Sequence, residues 1–435
     1  MKKNLHYQEK KLSRLSTAQI SYLLDQFETA FVFFDWENQT LKLCLGVAAE
    51  CFPAKETKQN QFLTVKNWYQ TLKTDWNTTI TTVAPLIAGS FLFDPLKKTT
   101  AWAGLAAGYF FLPQLMISQN STQTIAISCA STVKNGSRQL SRLQACLAAA
   151  KKTTGRAQIQ QVSEVQVASW QQTVQQAVAE IQAQRLAKVV LARQATVTLN
   201  QSLTAGDLWQ RLTLIKQQNY QFLLKYQDQI FISLTPEKLA EFQPHQLRVD
   251  ALAGTTARGD TLNQQQELGE RLLQSTKNRI EHQIVVTEIT HRLQELALKI
   301  EHPTEPQLLA TGSVQHLYTP ITAYGEVDPW RVLAQLHPTP ALGGQPQQAA
   351  LKFIRDFEGW DRGLFGGPTG WLDFTAKGKF TVAIRSALLT GLQAHLFAGA
   401  GIVADSDYQQ ETIETHNKMQ PMLKLLKGRK KNERK

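Results

Sequence analysis

The amino-acid sequence predicts an α+β or mixed α/β fold, and three observations support this prediction. Hydrophobic residues make up 43% of the 435 residues and charged residues 19%, which is the composition of a globular protein with a large core. Runs rich in β-branched and aromatic residues are typical of strands. These runs alternate with helical patterns without regular βαβ spacing, so the sequence indicates a sheet combined with helices in an irregular order.

The first third of the chain contains elements of both kinds. The runs "TAFVFFDW" and "LKLCLGV" predict strands, and "LSRLQACLAAAKK" predicts the end of a helix. The uncharged run 101–117 is short for a membrane span and contains Gly104, Gly108 and Pro113, so it predicts a buried strand and turn. The polar, glutamine-rich stretch 153–161 marks either a boundary or a surface loop.

The remaining two thirds carry longer periodic patterns. Apolar residues at helical spacing over 170–181 predict an amphipathic helix, and "KVVLARQATVTL" (188–199) predicts a strand. A second strand-like run, "YQFLLKYQDQIFISL", ends at 235–237, and a long helical pattern covers roughly 263–300. The runs "FTVAIRSALL" and "AHLFAGAGIV" predict paired strands before a final helix, which Pro421 should kink or restart.

Charge and cysteine content narrow the class of protein. The formal net charge is +12 and the pI is about 9.4, which would suit nucleic acid, acidic lipid or an anionic small molecule. The only dense basic run is the tail 427–435, which is more typical of a solvated end than of a docking arm. Four cysteines without C-x-x-C spacing argue against zinc and disulfides and fit a reducing cytoplasm. The N-terminal residues lack the apolar core of a signal peptide.

Several common catalytic signatures are absent from the sequence. There is no G-x-x-x-x-G-K-[ST], no H-E-x-x-H and no G-x-S-x-G, and "GAGIVA" lacks the third glycine of a dinucleotide fingerprint. The string "ALAGTTARG" (251–259) predicts instead a loop of small residues whose backbone N–H groups can approach an anion. The strings "LHPTPALGGQP" and "RGLFGGPTGW" predict rigid loops.

An acidic stretch, "GIVADSDYQQETIETHNK", stands out in this basic chain. Ser406 and Gln409 have the spacing of a capping box, which predicts the start of a helix. On that helix Glu411, Glu414 and Lys418 share one face. Spacing alone leaves two explanations open, a solvated face or a functional site.

Taken together, these strings resemble the chorismate-utilising enzymes, which include isochorismate synthase, salicylate synthase, anthranilate synthase component I and aminodeoxychorismate synthase. The matching strings follow the family's order over 170–426, and they are "KVVLAR", "TPEKL", "LAGTTARG", "KNRIEHQIVV", "VQHLYTPI", "LHPTPALGG", "DRGLFGGPTGW", "VAIRSALL", "LFAGAGIV" and "ETIETHNK". "AGSFLFDP" and the Leu112-Pro113 pair resemble the N-terminal region of isochorismate synthases more weakly. The resemblance implies an α+β fold with a large β-sheet sandwich core and helices packed outside. It divides the chain into an N-terminal part (1–160), a catalytic region (161–428) and a basic tail (429–435).

The resemblance also implies a magnesium ion that helps to bind the chorismate dianion. Mg²⁺ needs only one or two protein carboxylates because it keeps several waters. By resemblance these are Glu281 and Glu414, while Glu411 would hold metal-bound waters. Lys418, one turn beyond Glu414, would bind a substrate carboxylate.

Catalytic roles follow from the same resemblance. Lys188 would act as general base towards water, which requires partial burial and neighbouring positive charge to keep its amine neutral. Glu237 would act as general acid for the C4 hydroxyl, and the Thr235 and Lys238 beside it depart conservatively from the family's more frequent Ser and Arg. The remaining substrate contacts implied are Arg385, His316 and backbone groups at Gly254, Thr255, Gly399 and Gly401. For His316 a structural role, in which it satisfies a backbone carbonyl, is the alternative, and His282 is expected to be structural.

Within the family, the residues favour isochorismate synthase, which would feed menaquinone or siderophore biosynthesis. Ala253 stands where aminodeoxychorismate synthase has lysine, and Lys188 stands where anthranilate synthase has glutamine, so no glutamine amidotransferase partner is expected. Salicylate synthase is the nearest alternative, because it shares the catalytic residues. Two more distant hypotheses are a nucleic-acid-binding protein that acts through its basic tail and an inactive family member. We expect no nucleic-acid or membrane partner, and the oligomeric state stays open.

Overall fold

The computed structural model describes residues 5–56, 60–74, 76, 82–97, 102–151, 157–164, 167–215, 218–259, 261–311 and 314–428. The strands in this part of the chain are β1 His6–Leu12, β2 Thr29–Asp35, β3 Thr40–Cys51, β4 Leu86–Ser90, β5 Tyr109–Gln119, β6 Thr124–Ala130, β7 Ile159–Glu164, β8 Lys188–Leu199, β9 Tyr220–Tyr226, β10 Gln229–Thr235, β11 Lys238–Gln243, β12 Gln246–Ala257, β13 Lys299–Glu301, β14 Gln307–Thr311, β15 Val314–Tyr324, β16 Gly344–Gln345, β17 Pro368–Asp373, β18 Gly378–Val382, β19 Ser386–Thr390 and β20 Gln393–Ile402. The α-helices are α1 Thr17–Gln26, α2 Pro53–Glu56, α3 Gln61–Thr74, α4 Val133–Ala149, α5 Val167–Gln182, α6 Ala205–Thr213, α7 Leu262–Gln274, α8 Thr276–Gln294, α9 Pro329–Leu336, α10 Gln347–Phe357 and α11 Tyr408–Lys427.

The described strands pair into one large sheet, and both halves of the chain contribute strands to it. β2 pairs with β3 on one side and with β9 on the other, and β4 pairs with β17, all antiparallel. The division predicted at residue 160 falls inside β7, which pairs with β8. The N-terminal part and the catalytic region therefore contribute strands to the same sheet.

Two hydrophobic clusters cover the two faces of this sheet. Along β2, Phe31 and Phe33 belong to one cluster, whereas Ala30 and Val32 belong to the other. This alternation follows from the two-residue period of a strand, which points successive side chains to opposite faces. Helices α3, α5, α8, α9 and α10 contribute to the first cluster, and α1, α4, α6 and α11 to the second. The predicted α+β architecture, a sheet core with helices outside, is confirmed.

Several predicted elements are confirmed at residue level. The strand predicted over 188–199 is β8, and the helix predicted over 170–181 lies within α5, with Trp170, Val174 and Ala177 buried. The apolar run after residue 102 forms a short 3₁₀ turn and the buried strand β5. No described helix is long and apolar enough to cross a membrane. The four cysteines, all of them among the described residues, are thiols.

Other predictions were wrong in detail because turn residues interrupt the patterns. The single strand-like run before residue 235 is a hairpin of β9 and β10, in which Gln227 takes a positive φ of 54°. The long helical pattern over 263–300 is two helices, because the Ser275 side chain caps the start of α8, and its last residues form β13. The run "FTVAIRSALL" is likewise split, and only its second half, β19, pairs with β20.

Three further predictions concern short motifs. The string 251–259, predicted as a loop, is mostly strand β12, which holds a bulge at Gly254. The final helix α11 continues through Pro421 without ending or restarting there. The basic tail beyond Gly428 lies outside the described residues.

Candidate active site

Glu237 lies in the short turn that connects β10 to β11. Its backbone N–H donates to the Thr235 hydroxyl at 3.1 Å, and its carbonyl accepts from the Val382 N–H at 3.1 Å. These two bonds fix the turn, since backbone groups without a ladder partner need other partners. Pro236 adds a fixed φ, so the Glu237 side chain starts from a rigid backbone.

The Glu237 side chain lines a cavity of about 170 Å³ together with three predicted substrate-binding residues. These are Arg385, Gly399 and Lys418. Arg385 stands between β18 and β19 with a positive φ of 47°, a conformation that is rare for a residue with a side chain and is often found at functional sites. Its carbonyl accepts from the Leu234 N–H at 3.2 Å, which ties it to the strand before Glu237.

The charges around this cavity set the protonation of Glu237. Burial raises the pKa of its carboxyl from 4.5 to about 7, while the cations Lys418 and Arg385 act in the opposite direction. Burial also lowers the pKa of Arg385, and Glu237 opposes that effect. An acid with a pKa near neutrality can hold a proton and still give it up, which is the requirement for general acid catalysis at neutral pH.

Lys188 is the first residue of β8, and its side chain is half-buried. Its position depends on Gly401 in the neighbouring strand β20, because a Cβ at Gly401 would lie 2.8 Å from the Lys188 Cε and 3.4 Å from its Nζ. The lysine therefore passes directly over the glycine backbone. Gly401 lies two residues from Gly399 on the same strand face, but neither Gly401 nor Lys188 is among the residues that line the Glu237 cavity.

The acidic stretch forms the start of α11, but Ser406 is not its cap. Asp407 caps the helix by accepting from the N–H groups of Gln409 and Gln410, at 3.0 and 3.1 Å. Ser406 instead donates its hydroxyl to the Glu411 carboxylate at 2.8 Å. An aspartate is the stronger choice at this end, because its charge also interacts favourably with the helix dipole.

The three residues predicted on one face of α11 differ in their surroundings. Glu411 is buried, with 9% of its surface exposed, whereas the Glu414 side chain is 49% exposed. Glu414 pairs with Lys418 at 2.6 Å, and the Lys418 ammonium also donates to the Gly399 carbonyl at 2.9 Å. An ammonium has three N–H donors, so one remains for a ligand in the cavity that Lys418 lines.

The bulge in β12 brings together the other predicted contacts. Gly254 has a φ of 73° and lies against Asn278 of α8, where a Cβ would be 3.2 Å from that side chain. Thr255 and His316 face each other across β12 and β15 and share a hydrogen bond of 2.8 Å between Oγ1 and Nδ1. Burial and the charge of Arg385 lower the pKa of His316 to about 4, which keeps this ring neutral. Gly254, Thr255 and His316 are not among the residues that line the Glu237 cavity.

His282 lies in the interior beneath this bulge. It is 2% exposed, its Nε2 hydrogen-bonds the Thr319 hydroxyl at 2.8 Å, and burial lowers its pKa. It thus links α8 to β15 from the buried side of the helix, whereas its neighbour Glu281 is exposed. These contacts agree with the structural role expected of it.

Comparison with known proteins identifies the family. The family described as "Chorismate binding enzyme" matches residues 2–427. The chain belongs to this family. The isochorismate synthase MenF of Bacillus subtilis is 33% identical over 359 residues, which cover 80% of this chain and 76% of that protein. The salicylate biosynthesis isochorismate synthase of Pseudomonas aeruginosa is 40% identical over 266 residues, covering 59% of this chain and 54% of that protein.

Solved structures support the same placement. The menaquinone-specific isochorismate synthase MenF of Escherichia coli superposes with a TM-score of 0.82 at 25% identity, covering 97% of this chain and 94% of that one. Anthranilate synthase component I of Streptococcus pneumoniae has the same fold, with a TM-score of 0.71 at 16% identity over 96% of this chain and 92% of that one. The chorismate-utilising fold therefore extends over the N-terminal part, which the sequence motifs matched only weakly.

Within this family fold, the predicted magnesium ligands are all carboxylates, the donors that Mg²⁺ prefers. Burial raises the pKa of Glu411, the Ser406 hydrogen bond opposes this, and the charge of nearby Glu414 adds to it. A cation beside Glu411 and Glu414 would relieve that repulsion, so these two carboxylates suit a cation electrostatically. Among the described residues, no three His, Cys, Asp or Glu side chains are grouped so that they could hold a metal ion, so Glu281, Glu411 and Glu414 do not form a preassembled three-carboxylate site.

Sequence reasoning missed several residues of the cavity wall. The wall beside Glu237 includes Arg362, Leu342 and Phe365. These residues belong to the strings "LHPTPALGG" and "DRGLFGGPTGW", to which the sequence assigned no role at the site. The signal available was the charge of Arg362 within "DRGLFGGPTGW", an otherwise apolar and glycine-rich string. A larger cavity of about 830 Å³ lies between α1, β2 and α6, and none of the predicted site residues lines it.

Proposed function

We propose that this protein is a magnesium-dependent isochorismate synthase, which converts chorismate to isochorismate. The observation that carries the proposal is Glu237, whose carboxyl has a pKa raised to about 7 in a cavity that also contains Arg385 and Lys418. Chorismate is a dianion with a hydroxyl at C4. A protonated acid between two cations suits both the charge of this substrate and the protonation of its leaving group.

Substrate binding is proposed to rest on the two cations and on the backbone of β20. Arg385 has a planar guanidinium that can bind a carboxylate through two parallel hydrogen bonds. Lys418 is oriented by Glu414 and the Gly399 carbonyl, which support its position at the cavity. His316, Gly254 and Thr255 are proposed to contact the substrate from the bulge in β12, since Arg385 acts electrostatically on His316.

The reaction is proposed to divide between a base and an acid. Lys188 takes a proton from a water molecule, whose oxygen adds at C2 of the ring. Glu237 gives its proton to the C4 hydroxyl, which leaves as water while the ring double bonds shift. One water enters and one leaves, so the net reaction is an isomerisation, and the two proton transfers occur at separate side chains.

Magnesium is proposed to be held by Glu281 and Glu414, with Glu411 hydrogen-bonded to the metal waters. When bound, the ion would neutralise negative charge on the substrate carboxylate. Glu411 supports this role because it is buried and oriented by Ser406, so its second oxygen can accept from a water. Residues that orient metal waters typically affect metal affinity strongly.

Water rather than ammonia is the proposed nucleophile, so no glutamine amidotransferase subunit is required. Lys188 and Ala253 support this choice. The product would enter menaquinone or siderophore biosynthesis, because relatives named for both pathways are similar to this chain. A reducing cytoplasm is part of the proposal, and the cysteine thiols are compatible with it.

The test is incubation of the purified protein with chorismate, with and without Mg²⁺, followed by chromatographic separation of the products. We expect Mg²⁺-dependent isochorismate that stops at equilibrium with chorismate. Lys188→Ala and Glu237→Gln should abolish turnover, whereas Arg271→Ala, at an exposed surface pair, should not. Salicylate with pyruvate would identify a salicylate synthase instead, and no conversion by folded protein would refute the enzymatic proposal.

A further inference from the structure

One edge of the strand that carries Lys188 is only partly covered by other strands. On this edge β8 pairs with β16 at Lys188 and Val189, and with β7 from Ala195 onwards. Between these two partners, the described strands leave residues 190–194 without a neighbour. The opposite edge is continuous, because β20 pairs with β8 from residue 189 to residue 198.

A buried ion pair binds the β8 backbone along the stretch that the described strands leave uncovered. The Ala192 N–H donates to Glu358 Oε2 at 2.9 Å, and Arg362 Nη2 donates to the Val190 carbonyl at 2.7 Å. The Trp360 indole N–H lies 3.4 Å from the Ala192 carbonyl. Three side chains from one segment thus satisfy three of the backbone groups that a neighbouring strand would otherwise pair with, as buried strand edges require.

Glu358 and Arg362 are joined by two hydrogen bonds in a buried setting. Arg362 binds both Glu358 oxygens, through Nε and Nη2, each at 2.7 Å, and both side chains are 4% exposed. Its guanidinium also lies 4.3 Å from the centre of the Phe93 ring. Such a pair needs a planar fork of donors, which lysine cannot reproduce.

The same guanidinium also holds the loop 342–345, which pairs with β8 at Lys188 and Val189. Arg362 Nη1 donates to the Leu342 carbonyl at 3.1 Å. The next residue, Gly343, accepts from the Val190 N–H at 3.0 Å, and Gln345 pairs with Lys188. Arg362 therefore connects β8, two residues after Lys188, to the loop that pairs with Lys188, and it lines the same cavity as Glu237.

We propose that Arg362, oriented by Glu358, is a positioning residue for Lys188. The inference rests on the proposed function, in which Lys188 is the general base. Arg362 sets the position of residues 188–190 against the loop at 342–345, and thereby the distance from the Lys188 amine to the attacking water. Its action is on the chemical step and not on substrate binding.

The experiment compares two double variants in the full-length protein with Mg²⁺ and chorismate. Glu358→Leu/Arg362→Met removes both charges together, because a lone buried charge would unfold the site, whereas apolar replacement of a whole pair is often tolerated. The matched control is Glu288→Leu/Arg292→Met, another Glu–Arg pair at i,i+4 whose arginine also donates to a backbone carbonyl, that of Gln335. Neither residue of this control pair lines the Glu237 cavity, and both are remote from β8 in sequence.

We expect kcat of the first variant to fall at least about tenfold with KM changed less than about threefold, since a displacement near 1 Å of a catalytic group is costly. The pH dependence assigned to Glu237 should stay in place, because Lys418 and Arg385, the cations that act on its carboxyl, are unchanged. The control should retain kcat. Should the double variant fail to fold, Arg362→Lys keeps the charge and is measured in the same way, with kcat expected to fall several-fold.

Three results would overturn the inference. An unchanged kcat would show that Lys188 does not need the Glu358–Arg362 pair for its position. A KM raised more than about tenfold at constant kcat would indicate that Arg362 contacts the substrate directly. A shift of the Glu237 pH dependence together with the loss of kcat would indicate general damage to the site. Wild-type protein that forms no isochorismate would refute the proposed function itself, which separates the two failures.

Discussion

The pH dependence of catalysis is the most direct test of Glu237 as general acid. Its pKa, raised from 4.5 to about 7 by burial, means that the carboxyl is protonated below neutrality and ionised above it. The protonated fraction would be about 0.9 at pH 6, about 0.5 at pH 7 and about 0.1 at pH 8. Because the acid must carry a proton, the factor that Glu237 contributes to kcat/KM should fall less than twofold from pH 6 to pH 7 and then approach a tenfold loss per pH unit, while the need for a neutral Lys188 adds a separate limb that rises with pH.

A carboxyl with an ordinary pKa would give a different profile. At pH 6 it would already be about 97% ionised, so the rate would fall about tenfold between pH 6 and pH 7. The assay is initial isochorismate formation at saturating Mg²⁺ and low chorismate, in buffers of constant ionic strength. A descending limb centred below about pH 5.5 would refute the reasoning, because burial would then not control this group.

A charge substitution tests the cause of this pKa. Lys418 lowers the pKa of Glu237, so Lys418→Met should move the descending limb to higher pH, by about one pH unit. The matched control is Lys424→Met, on the same helix but exposed and absent from the cavity. A limb that moves to lower pH, or moves equally in both variants, would contradict the proposed arrangement of charges.

Three further perturbations follow from the packing of the site. Gly401→Ala should lower kcat by about 10- to 100-fold, because the added Cβ would displace the flexible end of the Lys188 side chain. Stability should change little, so kinetics and thermal unfolding are measured together. Chelation with EDTA should abolish turnover, and Glu411→Gln should raise the Mg²⁺ concentration for half-maximal activity by about tenfold, measured by metal titration. His282→Ala should reduce the free energy of unfolding by about 1–3 kcal/mol, because it leaves the buried Thr319 hydroxyl without its hydrogen-bond partner. Denaturant unfolding measures this loss, and an unchanged unfolding midpoint would contradict the prediction.

Local patterns identified much of the fold. The amphipathic period of α5 and the β-branched composition of β8 led to the correct elements, because each depends only on residues within its own segment. Boundaries were harder to predict where one residue ends an element. Ser275 divides α7 from α8, and Arg385 separates β18 from β19, and neither residue is distinctive by composition.

The motifs indicated the candidate catalytic residues by family resemblance, but not their environment. Glu237 is an ordinary glutamate in the string "TPEKL", and its raised pKa arises from burial in a cavity formed with residues more than a hundred positions away. The cap of α11 was misassigned for a related reason. Both Ser406 and Asp407 can cap a helix, and Ser406 is instead used by Glu411.

The sequence by itself determined the alternation of strands and helices, the family, and the identity of the candidate acid, base and carboxylates, since these depend on local composition and short ordered strings. Only the tertiary structure decided which of these groups share a cavity, which of them are desolvated, and how the open edge of β8 is completed by Glu358 and Arg362. The physical reason is that burial and electrostatic interaction depend on distances in space. Strand pairing across the sheet brings together residues whose separation along the chain carries no information about those distances.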